Sequence, residues 1–346
     1  MQSVKSFNNT FLNGLVAFFG GKRKIVRLIQ KFTVGETFCD LFFGGGSVSL
    51  YAKATGKRVV AADRSFLSKT IAESYLTNDT LTLHQTHLDA IQLTIPAVEL
   101  TRSRYVPNLF TPRHALWIDK ALTYAQGLRD HKTAWLVRML IAKFIFNLRA
   151  FGAFTNYKAM QSYNFSDHDE ILHRSGSYYK NLKLTTHELS ARCLKDLNAS
   201  IFPNGKKCEF MPMDVFDFLK YYPNELHTIY LDPPYYGSQD YENYYNDINF
   251  ILSGGSWVKP TKSRFNSQKE YFAALEEIIQ LSDRSQRMIF SYGGYVGIEE
   301  CEAIASLMRK YRAGHLELIK IPYAYSIHRT SGNGNMGMEA LIVSDK

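Results

Sequence analysis

Two hydrophobic periods alternate along the opening of the chain. In residues 22–32 the apolar positions Ile25, Leu28, Ile29 and Phe32 fall at helical spacing. Residues 36–43 form a short apolar run that ends in Gly44-Gly45-Gly46, and Ser47 then opens a helical stretch through Ala54, closed by Gly56. Residues 58–62 (RVVAA) read as a buried strand ending at Asp63, and a further helix is expected from about Ser65 to Leu76. Strand, glycine-rich turn, helix, strand and acid is the opening of a doubly wound nucleotide-binding sheet.

The middle of the chain has a different texture. Residues 111–127 and 132–150 read as helices, whereas 151–179 are rich in Phe, Tyr, Asn and Ser with little periodicity. Strand–helix alternation returns with CEFMPM, which leads to Asp214, then the short helix VFDFLKYY and the strand HTIYLD, which leads to Asp232. Helices are expected at 268–281 and 298–311, and strands at 288–292, 316–322 and 339–343. There is no internal repeat and no low-complexity tract. The pattern predicts one α/β domain made of residues 1–76 plus 203–346, with residues 77–202 inserted as a mostly helical lobe.

Composition narrows the class. The chain has 346 residues, 45% hydrophobic, 14% aromatic and 21% charged, which excludes a disordered chain. Cys39, Cys193, Cys208 and Cys301 include no C-x-x-C pair, so a disulfide framework and a cysteine-rich zinc module are not expected, and a reducing compartment is. The ten histidines show no H-x-x-x-H, and His84 and His87 have no further ligands nearby, so no metal is expected. No run of about 18 apolar residues predicts a membrane span. The apolar stretch 11–19 is broken by Asn13 and runs into Lys22-Arg23-Lys24, which reads as structure and not as a signal peptide. The net charge is +9, and residues 101–200 hold 15 Lys/Arg against 7 Asp/Glu. A basic middle third in an otherwise near-neutral chain suits a polyanion, although solvated helix faces would give the same count.

Two motifs carry chemistry. Asp40-Leu41-Phe42-Phe43-Gly44-Gly45-Gly46-Ser47 places glycines between a strand and a helix start, where backbone can approach a ligand and free N–H groups point at it. A tight turn alone would also explain those glycines. Asp63, at the next strand end, stands where an acid meets a ribose diol; a helix N-cap is the plain alternative. More specific is Leu231-Asp232-Pro233-Pro234-Tyr235. Two prolines stop the strand and remove two backbone donors, which fixes the Asp232 carboxylate and the Pro233 carbonyl at the carboxyl edge of the sheet. Two acceptors side by side suit an exocyclic amine, and Tyr235 offers a face for stacking.

With these residues in view, the chain resembles the Dam-type family of adenine-specific N6 DNA methyltransferases. Phe18-Phe19-Gly20-Gly21-Lys22 resembles the family's W-x-G-G-K, residues 38–47 its F-x-E-P-F-x-G-x-G-S, Ala62-Asp63 its A-D-I-N acid, Asp232 to Tyr235 its D-P-P-Y, and residues 326–343 its closing segment. Phe18 replaces Trp, Asp40-Leu41 replaces Glu-Pro, and Arg64-Ser65 follow the acid where the family has Ile-Asn. The resemblance implies a Rossmann-like class I sheet with an inserted target-recognition lobe, S-adenosyl-L-methionine (AdoMet) as cofactor, and a cytoplasmic, bacterial or phage-encoded enzyme. The enzyme would be of restriction–modification type, with a cognate endonuclease, or an orphan. It would methylate adenine N6 in DNA after base flipping. Phe18, Lys22, Asp40, Gly44, Gly46, Asp63, Asp214 and Asp232 would hold the cofactor, and Asp232, Pro233, Pro234 and Tyr235 would act on the base.

In the lobe, Asn147 to Phe154 is a shortened form of the family's N-G-L-x-R…G-x-F-N-V-P-x-G. Arg138, Lys143, Arg149 and Lys158 are candidates for DNA contact by their place in the basic lobe, Asn147 and Arg149 are favoured because they overlap that pattern, and Lys259, Lys262 and Arg264 beyond the catalytic loop are further candidates. An ordinary solvated helix or loop residue is the alternative for each. D-P-P-Y chemistry would also serve cytosine N4 or RNA adenine, and a non-catalytic AdoMet- or DNA-binding subunit of a larger assembly is the reading from another class.

Overall fold

The computed structural model describes residues 9–148, 180–235, 241–260, 263–294, 298–324 and 336–346. The aperiodic stretch 151–179 lies outside these residues, and so do Arg149, Lys158 and Lys262. The described strands are β1 (Thr37–Asp40), β2 (Arg58–Ala62), β3 (Glu209–Met211), β4 (Thr228–Leu231), β5 (Arg287–Gly294), β6 (Leu316–Ala324) and β7 (Met336–Asp345). They form one sheet in the order β3-β2-β1-β4-β5-β7-β6. The first five run parallel, and β7 lies antiparallel between β5 and β6.

The central strands β1, β2 and β4 are short and almost wholly buried because both faces of a parallel sheet are covered. Alternate residues feed two layers. Phe38, Val59, Ala61, Tyr230, Ile289 and Leu341 face one core. Cys39, Val60, Ala62, Ile229, Leu231 and Ile342 face the other.

On the first face lie α1 (Val26–Lys31), α2 (Ser47–Ala54) and α3 (Phe66–Ile71), followed by the insert helices α4 (Gln85–Leu93), α5 (Leu100–Tyr105), α6 (Pro112–Gly127), α7 (His131–Asn147) and α8 (Thr186–Asn198). On the second face lies α9 (Val215–Tyr221). The chain then returns to the first face with α10 (Asn246–Leu252) and crosses back with α11 (Gln268–Leu281) and α12 (Ile298–Tyr311). The chain is an α/β protein in which the insert helices and the sheet share an apolar core: Leu140 and Phe144 of α7 belong to the same cluster as Phe38 and Tyr230. Among the described residues no helix is long and apolar enough to cross a membrane, and the four cysteines are buried as free thiols.

Several elements depart from the periodicity. The helix expected over 22–32 begins only at Val26, because residues 18–25 are taken up by tight turns closed by Gly21 N to Phe18 O and Ile25 N to Lys22 O. The helix expected over 65–76 is capped by Ser65 and widens into a π turn at Ala72–Leu76. Helices α4, α5, α8 and α10 are additional. For α8 the signal was present: Thr185 and Glu188 form a capping box ahead of Leu189, Cys193, Leu194 and Leu197.

Candidate active site

Strands β2, β1 and β4 are neighbours, and each delivers an acid at its carboxyl end: Asp63 just past β2, Asp40 as the last residue of β1, and Asp232 just past β4. Chain order reverses between β1 and β4, so this is the switch point where open α/β sheets leave a crevice. A cleft of about 1260 Å3, its open mouth included, lies there. Its walls include Phe18 to Lys22, the Asp40 to Val48 turn, Asp63, Asp214 and Asp232 to Tyr235.

The glycine turn is shaped by the N-terminal aromatic. A Cβ on Gly45 would lie 2.5 Å from Phe18 Cβ and 3.0 Å from its Cγ, so only glycine admits this approach. Gly46 adopts φ 72° as the N-cap of α2, the left-handed conformation that glycine takes without strain. Phe18 in turn stacks on Tyr245, with ring centroids 4.4 Å apart, and Phe19 N donates to the Tyr245 hydroxyl at 2.7 Å.

The three strand-end acids are held in different ways. Asp40 is 1% exposed and accepts from the Ser49 hydroxyl at 2.7 Å and from Phe42 N at 3.3 Å. Burial pushes its carboxyl up to about 7; the Ser49 bond opposes this and the charges of Asp232 and Asp63 add to it. Asp63 accepts from Gly44 N and Ser65 N, both at 2.8 Å, and so ties the glycine turn to the start of α3. Desolvation raises its pKa against those hydrogen bonds. Asp232 meets Lys22 Nζ at 3.0 Å and the Tyr235 hydroxyl at 3.0 Å, both through Oδ1. Burial raises its pKa, and the Lys22 charge and the two hydrogen bonds pull it back.

The residues expected at the cofactor and the base lie together. Phe18, Lys22, Asp40, Gly44, Gly46, Asp63, Asp214, Asp232, Pro233, Pro234 and Tyr235 all line the one cleft. Lys22 is 2% exposed and carries its ammonium to Asp232 and to the Gly20 carbonyl at 2.8 Å. Asp214 is the N-cap of α9, accepting from Phe216 N at 2.9 Å, and also faces Arg64 at 3.6 Å. Tyr235 has its hydroxyl engaged and its ring tilted 54° against Tyr292.

The expected DNA contacts fare differently. Lys143 is 3% exposed and donates to the Gly14 carbonyl at 2.8 Å. Its expected role on DNA is therefore corrected: the ammonium satisfies buried carbonyl oxygen inside the core. Asn147 is half-buried, donates to the Lys143 carbonyl and accepts from Arg192, an internal link between α7 and α8. Arg264 lies over Phe216 and pairs with Glu277 at 2.7 Å. Lys259 is exposed and bonded to the Asn243 side chain.

The sequence did not single out Glu339, Tyr245, Asn249 or Trp257. Glu339, buried on β7, accepts from the Tyr235 hydroxyl at 3.4 Å. Tyr245, Asn249 and Trp257 line the cleft. Among the described residues no group of three His, Cys, Asp or Glu side chains is placed to hold a metal ion.

A cleft at a switch point, lined by acids and glycines, is built for a nucleotide-like ligand, and the Asp-Pro-Pro-Tyr rim adds a second acceptor site beside it. The family model described as D12 class N6 adenine-specific DNA methyltransferase matches residues 18–266, well over half of the chain and all of these cleft-lining residues. None of the curated proteins compared with the chain matches it.

Proposed function

The chain belongs to the D12 class of N6 adenine-specific DNA methyltransferases, and from that premise we propose that it draws the methyl group from AdoMet, recognises a defined DNA sequence and takes the target adenine out of the duplex into the cleft. The residues present fit the cofactor. Asp40 is a buried carboxyl whose neighbouring charges are other carboxylates, a place that favours a ligand cation. AdoMet carries such cations in its ammonium and sulfonium. The Gly44–Gly46 turn leaves room for backbone to approach the amino-acid portion, Asp63 suits the ribose hydroxyls, and Asp214 suits the adenine amine. Lys22, already beside Asp232, suits the cofactor carboxylate on its other side.

When bound, AdoMet supplies an electrophilic methyl on a sulfonium. The chain supplies position and charge. Both partners of Asp232 hold Oδ1, which leaves Oδ2 as an acceptor for an N6 proton of the extruded adenine. The Pro233 carbonyl is the second acceptor. These bonds would turn the amine lone pair away from the ring and toward the methyl, and the carboxylate would stabilise the positive charge that grows on N6. Extruding the base costs a few kcal/mol, which contacts in the pocket offset.

The observation that carries this reading is the doubly held Asp232 carboxylate in the wall of the same cleft as Asp40 and Asp63. Incubation with methyl-labelled AdoMet and duplex DNA should give N6-methyladenine on nucleoside analysis. Asp232→Ala should lose transfer while still binding S-adenosylhomocysteine. Label on cytosine, or full activity in the variant, would overturn the reading. In a restriction–modification pair the mark would also protect its site from a cognate endonuclease. Resistance of the methylated DNA to an extract of the source cells tests that role.

A further inference from the structure

Helix α10 begins eleven residues after Tyr235, and it and its N-cap send two side chains, one turn apart, into the cofactor end of the cleft. Tyr245, at its N-cap, stacks on Phe18 and holds the Phe19 amide. Asn249 is 2% exposed and lines the cleft. Its Oδ1 accepts from the Ser65 hydroxyl at 3.0 Å and from Leu67 N at 2.8 Å. Ser65 N is itself bonded to Asp63, whose other oxygen holds Gly44 N. A hydrogen-bonded chain thus runs from α10 through Ser65 and Asp63 to the glycine turn.

The bonds that Asn249 makes use its oxygen, and its amide nitrogen has no partner among the described residues. A nearly fully buried carboxamide with an unused donor is costly unless a ligand or water meets it. The donor lies in the cleft wall at the side of Asp63, the acid suited to ribose. We propose that Asn249 is a cofactor-binding residue: Nδ2 donates to the adenosine half of the cofactor while Oδ1 keeps Ser65 and the N-terminus of α3 in register with Asp63. The assignment rests on the AdoMet reading above. It makes the segment that follows the base-binding loop a wall of the cofactor pocket.

The substitution Asn249→Asp tests the two atoms separately. It keeps an acceptor for Ser65 and Leu67 and replaces the donor with oxygen. Two ligands are titrated calorimetrically into the purified full-length protein at pH 7.5: S-adenosylhomocysteine, and 5′-methylthioadenosine, which lacks the amino-acid end. Methylthioadenosine is uncharged, so a new carboxylate has no ligand charge to repel, and any loss reports the missing donor. The expected result is about tenfold weaker binding of both ligands, the worth of one hydrogen bond to a buried partner. The melting temperature of the free protein should stay close to that of the wild type. Unchanged methylthioadenosine affinity in Asn249→Asp would overturn the assignment, and a loss confined to S-adenosylhomocysteine would do the same by placing the contact at the amino-acid end. Should that variant unfold, Asn249→Ser is titrated instead, with the same two outcomes decisive. Failure of the wild type to bind either ligand would overturn the AdoMet reading itself, a result distinct from failure of the Asn249 assignment.

Discussion

Replacing Asp40 by Asn should flatten the pH dependence of cofactor binding and remove a pH-dependent cost to folding. The Asp40 carboxyl is held near 7 by burial, against an ordinary value of 3.8. Between those values the folded protein keeps a proton that the unfolded chain has lost. Stability therefore falls as pH rises from 3.8 through about 7, by about 4 kcal/mol in all at this one site. A bound ammonium reverses the preference because it pairs with the ionised carboxylate. Below about pH 7 the protein must first lose the proton, so affinity should fall with pH; a ligand α-amino group stays charged over that range. S-adenosylhomocysteine should bind about tenfold more weakly at pH 6 than at pH 7.5, the loss expected when about a tenth of the carboxyl remains ionised. Calorimetric titration across that range measures it, and buffers of different ionisation enthalpy count the proton released. Asp40→Asn should bind weakly at every pH with a flat profile, and should be more resistant to urea than the wild type at pH 8. A wild-type affinity equal at pH 6 and 7.5, or a slope that survives in Asp40→Asn, would refute the argument that Asp40 is the cation-binding acid.

Other perturbations probe separate links. Gly45→Ala puts a methyl 2.5 Å from Phe18 Cβ and should cost about 1–3 kcal/mol of stability by overpacking, with weaker S-adenosylhomocysteine binding; an unchanged urea midpoint would show that the Phe18 contact yields freely. Tyr235→Phe removes a hydrogen bond that holds the Asp232 carboxylate in its ionised form, so the acidic limb of the methyl-transfer rate should move to higher pH, and a limb that stays in place would count against Asp232 ionisation as its origin. Lys143→Met should cost about 1 kcal/mol of stability in urea unfolding, because the Asn13 carbonyl loses the ammonium while the Gly14 carbonyl keeps the Tyr75 hydroxyl at 3.1 Å, and it should leave the salt dependence of DNA binding unchanged. Lys259→Ala, by contrast, should reduce the slope of log affinity against log salt by about one if that exposed ammonium meets a phosphate.

The three acids of the cleft were legible because each sits where a buried strand stops. In a parallel sheet every strand points its carboxyl end the same way, so an apolar run followed by an acid gives both the element and its edge. Asp40, Asp63 and Asp232 needed no knowledge of side-chain contacts to be brought together. The glycine turn was legible for a related reason, since Gly46 must take a left-handed φ before α2 can start. What the sequence left open was the partner of each group. Glu339 is 104 residues from Tyr235 in the chain and reaches it only because β7 inserts antiparallel beside β5, which no local period announces.

Lys143 shows the opposite failure, in which the signal existed and charge overrode it. In α7 every residue from Met139 to Ile145 is buried, so the helix is enclosed on all sides there, and Lys143 is the one charged residue of that run. A lysine inside that run must bring its ammonium to an internal acceptor, and the Gly14 carbonyl provides one. The excess of basic residues in the middle third therefore overstates the charge that can meet DNA, because a side chain satisfied inside the protein adds nothing to the external field. Asn249 follows from the same logic in reverse. On an exposed helix its free amide nitrogen would say nothing; in the cleft wall beside Ser65, it is a donor that only the contents of the cleft, ligand or water, can meet.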